Sequence, residues 1–281
     1  MMKSLVIRAA AAVLFAAPAI AASLGPSLAA DLPTKAPIVA APVVYSWAGF
    51  YIGGNVGAAW QHASFSSTLI GCNIVGCANN LPHIGFDPAI AAAGTGSNTK
   101  VGFTGGGQIG YNWQINTLVL GVEADINAMS GKPALGATAN VSAPSTGTFT
   151  LATTANADWL STVRGRLGFA ADRYLVYVTG GAAFAHIKSK QSFSDVCCTQ
   201  STPLTTFTTS SWKTGYAVGG GAEYAFAGNW SLRGEYLYAG GFGSVGGSFV
   251  ATATNGNGDL HTGSAKLSIH QARAGLNFRF N

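Results

Sequence analysis

Between Lys100 and Gln114 the chain reads KVGFTGGGQIGYNWQ, and its side chains sort by parity. Val101, Phe103, Ile109, Tyr111 and Trp113 share one face with Gly105 and Gly107, while Gly102, Thr104, Gly106, Gln108, Gly110, Asn112 and Gln114 share the other. A period of two with one apolar face is the signature of a strand. The same stretch contains GGGQIG, the Gly-x-Gly-x-x-Gly spacing of a dinucleotide loop, followed by Glu123 and Asp125. That chemistry needs a helix opening on the glycines to hold the pyrophosphate. No helix fits between Gly110 and the apolar run at Leu118, so the glycines lie inside a strand and nucleotide binding is not implied.

Seven further segments repeat the pattern: Trp47 to Trp60, Leu118 to Ala128, Trp159 to Phe169, Tyr174 to His186, Trp212 to Tyr224, Trp230 to Tyr238 and Leu267 to Phe280. If Ala170 to Arg173 closes a hairpin, Phe169 faces Tyr174, Leu167 faces Val176, and Tyr177 and Thr179 point with Arg166, which should sit beside Tyr177. In the last segment Ala272, Ala274, Leu276, Phe278 and Phe280 alternate with Gln271, Arg273, Gly275 and Asn277. Leu267 and Ile269 break that phase, which suggests a bulge or residues above a bilayer. Gln114 to Thr117, Ala170 to Arg173 and Ala227 to Asn229 are tight turns. Residues 61–99, 130–157, 188–211 and 240–265 read as long loops rich in Gly, Ser, Thr and Asn.

Charged residues make up only 9% of the chain, which would leave a water-facing surface poorly solvated, and 38 glycines accompany 11% aromatics. No apolar run long enough for a helical span follows the first thirty residues. A closed β-barrel is the remaining way for such a chain to sit in lipid. The expected fold is all-β: an eight-stranded antiparallel transmembrane barrel with short periplasmic turns and long extracellular loops. Trp47, Trp113, Trp159, Trp212 and Trp230 near strand ends are expected at the lipid interface.

Lys3, Arg8 and the apolar run at residues 9–22 form a secretory signal, with cleavage expected after Ala29. Residues 30–46, holding Pro33, Pro37 and Pro42, read as a periplasmic tail, and residues 47–281 as the barrel. Removing Lys3 and Arg8 lowers the formal charge from +5 to +3, and the bases form no stripe of the kind nucleic acid requires. Cys72, Cys77, Cys197 and Cys198 suit loop disulfides in an exported protein, with three connectivities open; no His at ligand spacing favours a metal.

All three Glu of the chain, Glu123, Glu223 and Glu235, fall on the inward phase. Asp125, Arg164, Arg166, Lys213, Arg233 and Arg273 do so too. A cation facing lipid at mid-membrane costs roughly 2 to 4 kcal/mol, so this segregation supports the assigned faces. Gly228 at the turn centre places Glu223 opposite Arg233 as a cross-strand ion pair, and Glu123 and Asp125 are expected to meet Arg164 and Arg166. These charges either plug the lumen or form an ion-selective constriction. Eight strands enclose a space that side chains can fill, which favours the plug, whereas inward glycines would leave room.

ADLP at residues 30–33, WAGFYIGGNVG (47–57), GGGQIGYNWQ (105–114), GVEADI (121–126), STVRGRLGFA (161–170), GYAVGGGAEYAF (215–226), WSLRGEYLY (230–238) and ARAGLNFRF (272–280) resemble the alphaproteobacterial outer-membrane β-barrel proteins of the RopB-like group that carries the porin label. The resemblance spans nearly all of the expected mature chain. It implies an abundant Gram-negative envelope protein contacting outer-membrane lipid and lipopolysaccharide, inserted by the barrel-assembly machinery through a C-terminal signal at Leu276, Phe278 and Phe280. Asn281 after the terminal aromatic departs from the pattern. Relatives credited with haem binding or host-cell contact lend no motif to this chain. Ser268 and His270 share a face without a framed nucleophile, and His62, His83, His186 and His261 lie in or beside loops, so neither catalysis nor a cofactor is expected.

Overall fold

The computed structural model describes residues 45–70, 86–141, 147–197, 200–252 and 258–280. The signal segment, most of the tail, Cys72, Cys77, Cys198 and the side chain of Cys197 lie outside the described residues. The strands are β1 (Gly49–Ile70), β2 (Gly96–Ile115), β3 (Leu118–Met129), β4 (Ala134–Val141), β5 (Gly147–Ala171), β6 (Tyr174–Cys197), β7 (Gln200–Ala227), β8 (Trp230–Gly240), β9 (Ser244–Thr252) and β10 (Gly258–Phe280), with one helix, α1 (Phe86–Ala93). They form a single antiparallel sheet in which β1 pairs both β2 and β10, so the ring closes.

Ten strands make eight staves. β4 takes up the pairing with β5 after β3 stops at Met129, and β9 takes up the pairing with β10 after β8 stops at Gly240. The interruptions have local causes. Gly131 (φ 112°) precedes Pro133, which cannot donate to a ladder, and Gly241 and Gly243 (φ 78° and 69°) bend the other stave. The tight turns are shorter than expected. Asn116 (φ 54°), Asp172 (φ 51°) and Gly228 (φ 48°) take the left-handed conformation that these residue types tolerate best. Consequently Ala171, not Phe169, faces Tyr174, and Phe169 faces Val176. The shift is two residues, so every side chain keeps its face.

The largest correction concerns the loops. Much of residues 61–99, 130–157, 188–211 and 240–265 is strand, with the β6–β7 hairpin paired up to Cys197 and Gln200. These extensions carry Ser, Thr, Gln and Ala instead of an apolar outer face, so they lack the amphipathic signal while keeping β geometry. α1 joins them, with Ile90 packing among Phe149, Leu151, Phe193 and Ala251 as a separate extracellular core. Leu267 and Ile269 mark no bulge, since the β1–β10 register runs unbroken from Phe50–Phe280 to Ile70–Leu260. Both point inward, into an apolar layer with Leu160, Leu237, Ala183 and Ala217.

Outward, Phe50, Ile52, Phe103, Ile109, Leu120, Val163, Val178, Val218, Leu232 and Leu276 are all exposed. An apolar wall wrapped around a polar interior inverts the usual soluble pattern and requires lipid as its surroundings. Trp113, Trp159, Trp212 and Trp230 are on this wall. Trp47 is not: it is buried, because the chain turns under the barrel mouth before β1 begins at Gly49.

Candidate functional site: the filled lumen

Alternation sends every second residue of the membrane-level staves into the lumen, and there β3, β5, β7, β8 and β10 deliver four carboxylates and four guanidinium groups. Glu123, Asp125, Glu223 and Glu235 face Arg164, Arg166, Arg233 and Arg273, and all eight are buried. Arg164 lies at the centre. It reaches Glu123 at 2.5 Å, Asp125 at 2.8 Å and Glu235 at 3.0 Å. Thr162 donates to Asp125 at 2.6 Å and accepts from Arg164 Nε at 2.8 Å, so the arrangement fixes the planar fork. Arg273 completes the ring with Asp125 at 3.3 Å and Glu235 at 2.5 Å.

The expected pair Glu223–Arg233 is present in register, and each member also has a shorter bond elsewhere. The two residues are directly opposite, yet their charges stand 4.0 Å apart. Arg233 instead crosses the lumen to Glu123 at 2.5 Å and also bonds Glu235, while Glu223 takes Arg166 at 2.5 Å. Glu123 does lie opposite Arg164 on the adjacent strand, and Arg166 stands 3.8 Å from Glu123. Lys213 stays apart. It pairs in register with Ala185, at the level of the apolar layer, and has no ion partner among the described residues.

Two tyrosines complete the cluster. Tyr51 donates to Glu123 at 2.6 Å, Tyr177 donates to Glu235 at 3.2 Å, and the Arg166 guanidinium lies 3.8 Å from the centre of the Tyr177 ring. Their inward phase was legible, but their place against glycine was not. A Cβ on Gly110 would lie 2.4 Å from the Tyr51 hydroxyl, and one on Gly221 would lie 2.6 Å from that of Tyr177. At Gly110 and Gly221 the room that glycine leaves is taken by the two rings.

Side chains pack against the cluster at both ends. Below it, Trp47 donates its indole N–H to the Asp172 carbonyl at 2.9 Å and its backbone N–H to Gln114 at 2.6 Å, and Arg279 lies 4.3 Å from the Tyr45 ring. Above it, Gln61 spans to the Ala157 backbone with two bonds of 2.8 Å, amid the small apolar side chains of the Leu160–Ile269 layer. Leu276, Phe278 and Phe280 lie on the lipid face of β10, with Phe278 packed 5.1 Å from Trp230. Ser268 and His270 also face outward, and His270 Nδ1 is bonded to the Tyr236 hydroxyl at 2.6 Å.

His261, in the extracellular part of β10, is buried between Phe193 (ring centres 3.9 Å apart) and Phe249 (5.1 Å), with neither ring nitrogen bonded among the described residues. Burial pushes its pKa down from 6.5 to about 4. The unfolded imidazole therefore takes a proton at higher pH than the folded one. Its contribution is complete above about pH 6.5 and is lost as pH falls toward 4, by about 3 kcal/mol at about 1.4 kcal/mol per pH unit. Protection of the Leu260–Thr262 amides, taken relative to their intrinsic exchange rate at each pH, should fall over that window in the parent and stay flat in His261→Phe; an equal slope in both would assign the effect elsewhere.

A closed antiparallel ring of eight staves, apolar outside and ionic inside, defines an outer-membrane type of barrel. A family model described as "Outer membrane protein beta-barrel domain" matches residues 8–280. The chain belongs to that family, and its place is the bacterial outer membrane. The 31 kDa outer-membrane immunogenic protein of Brucella melitensis is 35% identical over 99% of this chain and 100% of its own length. The 22 kDa outer membrane protein of Rhizobium leguminosarum bv. viciae is 30% identical over 47% of this chain and 51% of its own. Among solved structures, Neisserial surface protein A is 16% identical, covering 83% of this chain and 97% of that one at a TM-score of 0.33. The Escherichia coli outer membrane protease OmpT is 8% identical with the same coverages at 0.43. Likeness at those scores carries no inference about activity.

Proposed function

We propose that this protein is a sealed structural barrel of the outer membrane, which spans the bilayer and holds a β-rich platform above it. The observation that carries this reading is the balanced, buried cluster of four acids and four arginines, flanked below by Trp47 and above by an apolar layer. An ion crossing such a lumen would have to displace paired charges and then enter alanine and leucine packing, both unfavourable. Export through residues 1–29, a periplasmic tail over 30–46, loop disulfides among the four cysteines and insertion through Leu276, Phe278 and Phe280 belong to the same proposal. The Brucella relative is named as immunogenic, which fits a chain whose extracellular strands are open to contact.

The competing reading is a narrow porin with a charge-lined constriction. Planar-bilayer recording of the refolded barrel separates the two. The expected result is a silent membrane from protein shown to be folded by circular dichroism. Reproducible single-channel steps, changed in size or selectivity by Arg233→Ala or Glu223→Ala, would establish the porin and overturn the sealed barrel.

A further inference from the structure

β6 continues past the aromatic wall, and its outward face changes character within three steps: Phe184, His186, Lys188, Lys190. Successive members are two residues, about 6.6 Å, apart along the strand. Trp159 and Trp212 flank His186 in register, with the His186 and Trp212 ring centres 5.2 Å apart, and such rings mark the edge of the hydrocarbon. Immediately beyond, Lys188 is half-exposed and bonded to Asp158 at 2.6 Å, while Lys190 is exposed with no ion partner among the described residues. The outward neighbours opposite them are Asn156 and Thr154 on β5 and Ser210 and Thr208 on β7, all donors or acceptors without charge.

A strand end exposed to water needs polarity but not one sign of it. Here the outward lysines of the described strands, Lys188, Lys190 and Lys266, all stand beyond the aromatic residues, and the one outward carboxylate near β6, Asp158, is already shared between His186 at 2.7 Å and Lys188. Positive charge at that height matches the layer of phosphates in the outer leaflet, and long lysine stems can lie along the wall while the ammonium groups reach it. We propose that His186, Lys188 and Lys190, with the Thr208–Ser210 and Thr154–Asn156 rows beside them, bind the phosphorylated sugar headgroup of lipopolysaccharide. The ammonium groups take the phosphate by charge-assisted bonds and the hydroxyl and amide rows take the sugar. This site rests on the outer-membrane location alone and is independent of whether the lumen conducts.

The test uses the refolded protein in detergent micelles, titrated with deep-rough lipopolysaccharide and, separately, with the same lipid after enzymatic dephosphorylation. At about 1 kcal/mol for each lysine near an anionic surface, Lys188→Ala/Lys190→Ala should bind the phosphorylated lipid roughly 30-fold more weakly. Lys188→Arg/Lys190→Arg should retain the affinity, and dephosphorylation should erase the difference between parent and alanine variant. The heat-dependent shift in gel mobility confirms that each variant is folded, and these side chains point away from the lumen. Equal affinity of parent and alanine variant for the phosphorylated lipid would overturn the site. So would full displacement by inorganic phosphate, which would mean that the lysines bind a free anion and not a lipid.

Discussion

Arg164→Ala should destabilise the refolded barrel by about 3–5 kcal/mol, the usual cost of removing one partner from a buried ion cluster. The loss comes mainly from what remains. Without the guanidinium, Glu123 keeps Arg233, Asp125 keeps Thr162 and a longer Arg273 contact at 3.3 Å, and Glu235 keeps Arg273 and Tyr177. Four carboxylates then share three arginines, and all seven side chains are buried. Urea unfolding in lipid vesicles, followed by circular dichroism, reads the change directly. Glu123→Gln added to Arg164→Ala should recover part of it, because the second change removes a charge that the first left unbalanced. A loss below about 1 kcal/mol would mean that water solvates these carboxylates. The same result would weaken the sealed lumen, so stability and conductance test one idea by separate routes.

The faces were legible, and so were the pairings of Glu123 and Asp125 with Arg164 on the next stave; the partners across the lumen were not. Parity alone assigns Val163, Leu167 and Phe169 outward and Thr162, Arg164 and Arg166 inward, because the side-chain period of a strand is two wherever the strand goes. It is also insensitive to the length of the β5–β6 turn, where a shift of two residues leaves parity intact. Partner choice is different, since it depends on distances across the lumen and not along the sheet. Glu223 and Arg233 are neighbours in the ladder, but ring closure carries Arg233 toward Glu123 on a stave that local sequence cannot connect to it. Trp47 departs from expectation for a related reason. An aromatic at a strand end normally meets lipid, and only the tertiary course of the segment before β1 turns it under the mouth, where Asp172 accepts its N–H. The extracellular extensions hide in the sequence because their outward faces are polar and their inward faces mix polar residues with apolar ones. Ser189, Gln191 and Phe193 point inward while Lys190, Ser192 and Ser194 point outward, a true period of two without the apolar contrast that makes it visible.

Gly181→Ala should prove nearly as damaging as the loss of Arg164, and Gly234→Ala should do no harm. A Cβ on Gly181, directly opposite Arg164, would lie 2.1 Å from the Val163 carbonyl oxygen and 2.7 Å from the Arg164 Cα. Both are backbone atoms of the paired strand, so relief requires β5 and β6 to part and their ladder to stretch. Overpacking that side chains can absorb costs about 1–3 kcal/mol; a backbone clash should lie at or above the top of that range. Gly234 has nothing within 4 Å of its would-be Cβ. Alanine there fills open space on the lipid face and restricts the unfolded chain, so a gain of about 0.4–1 kcal/mol is expected. The contrast separates two reasons for so much glycine in one chain. If glycine served to leave a wide lumen, methyl groups at inward positions would narrow the pore and cost little stability. If it serves to let strongly bent staves and tyrosine rings approach one another, the inward methyl is severe and the outward one harmless. Equal, small effects at both positions would favour the open lumen, whereas a large loss confined to Gly181 would tie the glycine content to closure.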